Sequence, residues 1–74
     1  MSPKLPVMRA EELIKLLEHQ GFRKVSQKGS HLKMKSETGA TIIIPVHSGK
    51  NIKPGLLLSI LNKVGVDISE LRGN

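Results

Sequence analysis

The stretch Gln27-Lys28-Gly29-Ser30-His31-Leu32-Lys33-Met34-Lys35 holds the side chains best suited to chemistry. An imidazole ordinarily titrates near ~6.5, so it can take up or release a proton at working pH. Lysine ammonium groups hold phosphate as compact point charges. Gly29-Ser30 reads as a tight turn, and glycine allows the dihedrals that aim backbone N–H groups at an anion. Beyond the turn, strand alternation puts His31, Lys33 and Lys35 on one face and Leu32 and Met34 on the other. The apolar pair needs a core, so the His-Lys-Lys row must face water. A titratable ring among ammonium groups on an exposed strand can hold and cleave a phosphodiester. The same pattern also fits a solvated hairpin whose lysines confer only solubility.

The elements that must position this stretch follow from periodicity and punctuation. Residues 1–8 read as an extended lead-in, because Pro3 and Pro6 disfavour helix. Residues 9–20 read as an amphipathic helix with Leu13, Leu16, Leu17 and Gln20 on its stripe and Ile14 at the edge. Met8 or Arg9 stands where a capping side chain is expected, Glu11 and Glu12 suit the first turn, and Gly21 ends the helix. His19 reads as a surface residue of the last turn. Three strands are expected over 22–45. In the first, Val25 is the clearest inward residue. The second starts at His31. The third, Ala40 to Pro45, is apolar enough to suggest cover on both faces. Gly39 closes the intervening turn. A basic loop, Val46 to Lys53, leads to a second helix over 54–64, opened by Pro54 and stopped by Gly65. Leu57, Ile60, Leu61 and Val64 form its stripe, and Asp67 is suited to cap one more turn.

The order is α-β-β-β-α, and the expected fold class is α+β. Short turns make the sheet antiparallel, and two helices with one apolar stripe each cover one of its faces. This is the architecture of double-stranded RNA-binding domains. The other face stays open, and His31, Lys33 and Lys35 belong to it. With 74 residues, no internal repeat and no linker composition, the whole of 1–74 is expected to be one domain.

Charge narrows the partner. The chain carries a net +6, and all of it lies between Phe22 and Lys53, where seven bases face the single acid Glu37. A concentrated basic field points to a polyanion or an acidic protein surface. Phe22 is the only aromatic residue and is needed for the core. Recognition by base stacking is therefore excluded, and RNA would be held through phosphate, 2′-hydroxyl and shape. The absence of cysteine removes disulfides and thiolate metal sites. No apolar run approaches the ~20 residues of a membrane span, so a cytoplasmic protein with no membrane partner is expected.

With these residues in place, the chain resembles the HicA-type toxins, also called the YcfA-like family. The likeness runs through Leu5-Pro6, Leu17, Gly21-Phe22, Gln27-Lys28-Gly29-Ser30-His31, Gly39, Pro45-Val46-His47, Lys50, Gly55, Ile60-Leu61 and Gly65. Gly-Ser-His followed by Pro-Val-His at this spacing is its most specific part. Two positions depart: Met8 where the family often has a Ser or Thr cap, and Leu56 where it often has Thr. The resemblance implies an mRNA-cleaving toxin of a type II toxin–antitoxin pair, partnered by a HicB-like antitoxin that covers the active face. It places the catalytic histidine at His31.

RNA carries its own nucleophile, the 2′-hydroxyl, so a base, positive charge and near in-line geometry suffice. The expected arrangement has His31 as general base and Lys28, Gly29, Ser30, Lys33 and Lys35 around the phosphate, with no cofactor. Lys50 and His47 extend the phosphate-binding set into the following loop. His47 is also a candidate proton donor, or else pins the end of the third strand. The histidines lie on separate elements without metal-ligand spacing, so no metal is expected. The alternative is a binding module that holds RNA on the same basic face without cleaving it.

Overall fold

The computed structural model describes residues 7–46 and 50–66. Helix α1 spans Ala10–His19, and Arg9 is its N-cap with extended backbone. Arginine has no side-chain acceptor, so the cap works in reverse. Glu12 Oε1 accepts the Arg9 backbone N–H at 2.9 Å, half of a capping box. Glu11 and Glu12 also place carboxylates at the positive end of the helix dipole. Ala10, Leu13 and Leu17 are buried, and Ile14 and Leu16 pack against the same core. Gln20 does not join the stripe predicted for it. It is the exposed C-cap, where the chain leaves the helical path and periodicity no longer applies. Gly21 follows with φ +93, a conformation that disfavours any side chain with a Cβ.

Three strands follow: β1 Phe22–Lys28, β2 His31–Ser36 and β3 Thr41–Pro45. They form an antiparallel sheet in the order β1-β2-β3, so β2 is central. Lys28 pairs with His31 across the two-residue Gly29–Ser30 loop. Gly29 has φ +55 and Ser30 does not have positive φ, the pattern of a type II′ hairpin turn with glycine first. The second turn is held by its own side chains. Ser36 Oγ lies 2.8 Å from Thr38 Oγ1 and accepts the Ala40 N–H at 3.2 Å.

Helix α2 spans Pro54–Val64, with Pro54 in its first turn and Gly65 as a left-handed C-cap. The Ile52 N–H donates to the Met8 carbonyl at 2.7 Å, tying the lead-in to the segment before α2. The core joins Leu13 and Leu17 of α1, Leu57, Ile60 and Leu61 of α2, Leu32 and Met34 of β2, Ile42 and Ile44 of β3, and Phe22. Both helices therefore cover one face of the sheet, as an α+β fold in α-β-β-β-α order requires.

Two strand expectations are corrected. Val25 is not inward but 44 % exposed, because the β1–β2 register slips between Lys24 and Ser26 and leaves Val25 as an unpaired bulge residue. Strand β3 is covered on one face only. Ile42 and Ile44 are buried while Ile43 is 52 % exposed, so a continuous apolar sequence here spans a half-covered strand. The helices have apolar surface for one side of the sheet, and nothing among the described residues covers the other. The expected cap at Asp67 lies outside the described residues.

Candidate active site

Antiparallel pairing puts cross-strand partners on the same face, about 4.5–5.5 Å apart at Cβ. Leu32 pairs with Ile44 and Met34 with Ile42, all buried. The intervening pairs, His31 with Pro45, Lys33 with Ile43 and Lys35 with Thr41, therefore share the open face. His31, Lys33 and Lys35 are all exposed, as alternation requires.

The other flank of β2 adds charges from β1. Lys28 stands opposite His31, and Arg23 opposite Lys35. Both belong to the open face, yet five residues separate them, and strict alternation would send them to opposite faces. The Val25 bulge supplies the missing step. Arg23 is thus a site candidate that sequence reasoning passes over, since a bulge in an exposed strand leaves no clear mark in residue types. Lys24 and Gln27 pair with Met34 and Leu32 and have helix-side parity. They remain exposed because β1 is an edge strand.

The open face therefore carries Arg23 and Lys28 from β1, and His31, Lys33 and Lys35 from β2. His31 sits at the start of the central strand, between Lys28 on one side and Pro45 on the other. The turn beside it is internally braced. Gln27 Nε2 donates to the Gly29 carbonyl at 3.0 Å, and the Val46 N–H donates to the Ser30 carbonyl at 2.6 Å. The Val46 bond ties the end of β3 to the turn that precedes the histidine. Pro45 also borders a surface depression shared with Lys50, Asn51, Ile52, Lys53 and Leu56. Lys50 is therefore reached from His31 by crossing Pro45, and Lys53, absent from the sequence-based set, lies in the same depression. His47 lies outside the described residues. Among the described residues, no three His, Asp or Glu side chains converge as metal ligands. No helix among them is long and apolar enough to cross a membrane.

The family model described as the HicA toxin of bacterial toxin–antitoxin matches residues 10–66, from the start of α1 through Val66. The chain belongs to the HicA toxin family. No curated protein and no solved structure matches it. HicA membership makes this chain the toxin of a toxin–antitoxin pair, with a cognate antitoxin as its partner. The matched span contains all five elements and every described residue of the open face. Leu56, one of the two departures noted from the HicA pattern, lines the depression beside Pro45 and gives it an aliphatic wall.

Proposed function

We propose that this HicA-family toxin is a metal-independent endoribonuclease that cleaves mRNA with His31 as general base. The observation that supports this most directly is the position of His31: exposed, at the start of the central strand, opposite Lys28 and on the same face as Lys33 and Lys35. In the proposed reaction the RNA 2′-hydroxyl attacks the adjacent phosphorus, and His31 accepts the hydroxyl proton. The P–O5′ bond breaks, giving a 2′,3′-cyclic phosphate and a 5′-oxygen that takes up a proton to become a hydroxyl. Charge building on the phosphorane is stabilised by the ammonium groups of Lys28, Lys33 and Lys35 and by the Gly29–Ser30 backbone. Lys50 holds a neighbouring phosphate beyond Pro45, and His47 belongs to the same proposed set.

The decisive assay incubates single-stranded RNA with the purified chain in excess EDTA, comparing wild type with His31→Ala. Cleavage that survives EDTA and vanishes with His31→Ala is expected. RNA binding without cleavage by the wild-type chain would instead assign the same face to a non-catalytic module. Full cleavage by His31→Ala would remove the histidine from its proposed role.

A further inference from the structure

The sheet has two edges, and they are not alike. The β1 edge is guarded: it is bulged at Val25 and carries Arg23, Lys24 and Lys28, devices that discourage a further strand. The β3 edge has neither bulge nor charge, its sequence being Thr41-Ile42-Ile43-Ile44-Pro45.

Hydrogen-bond phase decides which backbone groups point outward from β3. The Ser36 N–H donates to the Ala40 carbonyl at 2.9 Å, and the Val46 N–H to the Ser30 carbonyl at 2.6 Å. Bonded pairs recur every two residues in an antiparallel ladder, so Ile42 and Ile44 also point their backbone groups at β2. Thr41, Ile43 and Pro45 must point theirs away. The Thr41 carbonyl does so visibly, since it accepts a hydrogen bond from Lys63 Nζ of α2 at 2.9 Å. A long side chain there stands in for the missing strand. By the same phase the Ile43 N–H and carbonyl point away from β2, and no strand among the described residues pairs with β3 on that side.

We propose that the β3 edge is a docking site for an extended acidic segment of the cognate antitoxin, which adds as a fourth strand beside Thr41–Pro45. Strand addition supplies partners for the outward Thr41 N–H, the Ile43 N–H and carbonyl, and the Pro45 carbonyl. It also covers Ile43, which is 52 % exposed and alone on the outer side of its row. Charge selects the occupant. Lys63 stands at the Thr41 end, and Lys50 and Lys53 share a depression with Pro45 at the other. An uncharged edge with cations at both ends complements an aliphatic segment flanked by carboxylates. A second copy, itself at net +6, would bring like charge to the same place. The antitoxin as occupant rests on family membership and not on the ribonuclease mechanism.

Backbone amide exchange separates strand addition from docking by side chains alone. The full chain is measured free and co-expressed with its cognate antitoxin. In the free chain the Ile43 amide exchanges fast while Ile42 and Ile44 are protected. In the complex, Thr41 and Ile43 slow by at least about 100-fold. Unchanged exchange at Ile43 in a formed complex overturns the proposal. So does protection already present in the free chain, which would mean that a second copy or the chain itself occupies the edge. A pair of variants gives an independent readout. Ile43→Lys should weaken antitoxin binding at least about tenfold, while Val25→Lys, the same change from an exposed aliphatic residue to lysine at the guarded edge, should stay within about twofold. Equal losses from both would mean that the antitoxin does not distinguish the two edges and would sink the edge assignment. Both readouts follow antitoxin binding and not RNA cleavage, so loss of the ribonuclease reading would not touch this one.

Discussion

The two faces of β2 are one residue apart in sequence and opposite in physics. Leu32 and Met34 are 3 % and 0 % exposed, while His31, Lys33 and Lys35 between and beside them are solvated. The covered face is fixed by packing: a methylene lost there leaves a cavity that the two helices cannot fill. The open face is fixed by register, since no helix among the described residues presses on it. Chemistry can therefore vary on one side of the strand without touching the energy that holds the other. The comparison teaches that substitutions here should separate cleanly into those that alter activity and those that alter stability.

The largest separation is expected at His31. His31→Ala should lower the RNA cleavage rate by about 10²–10⁴-fold and leave the urea midpoint unchanged. A matching fall in midpoint would mean that the ring is structural. Next comes Met34→Ala, on the opposite face of the same strand. Denaturant unfolding should show a loss of about 2–5 kcal/mol, with cleavage per folded molecule retained. If activity falls further than the folded fraction, the faces are coupled.

A smaller effect tests the basic row as a phosphate surface. Affinity of RNA for the His31→Ala protein should fall steeply with salt, and replacing Lys33 and Lys35 together by alanine should reduce the log–log salt slope by about 2. A flat dependence would move the contact elsewhere. The bulge makes a finer comparison still. Arg23→Ala should weaken RNA binding severalfold and Lys24→Ala should not, although the two are neighbours in sequence and both exposed. Equal effects would mean that the edge strand, and not the open face, gathers the RNA. The smallest expected change is Glu12→Ala, which removes the acceptor of the Arg9 N–H and should cost about 0.5–1 kcal/mol in thermal or denaturant unfolding.

Much of this was legible in residue order. The helices follow from 3.6-residue stripes, punctuated by Pro54, Gly21 and Gly65. Both hairpins follow from glycine at the turns, and the His31-Lys33-Lys35 row from alternation alone. These are local properties, fixed by covalent geometry within a few residues. Three features were not legible. Gln20 fits the α1 stripe by spacing, but the helix stops before it. Val25 has the residue type of an inward strand position, but the β1–β2 register skips it. Ile43 belongs to an apolar run that sequence reads as doubly covered, and both helices of the described residues lie on the other face of the sheet.

The sequence by itself determined the order of elements, the family, the concentration of charge between Phe22 and Lys53, and the outward direction of His31. Each depends on neighbours along the chain. Only the tertiary structure decided that Arg23 joins the open face, that Lys50 and Lys53 border the same depression as Pro45, and that β3 has one edge without a strand partner among the described residues while Lys63 reaches its first carbonyl. Those are relations between strands and helices far apart in sequence. They depend on register, a quantity set by how one strand slides against another and not by the residues of either strand taken alone.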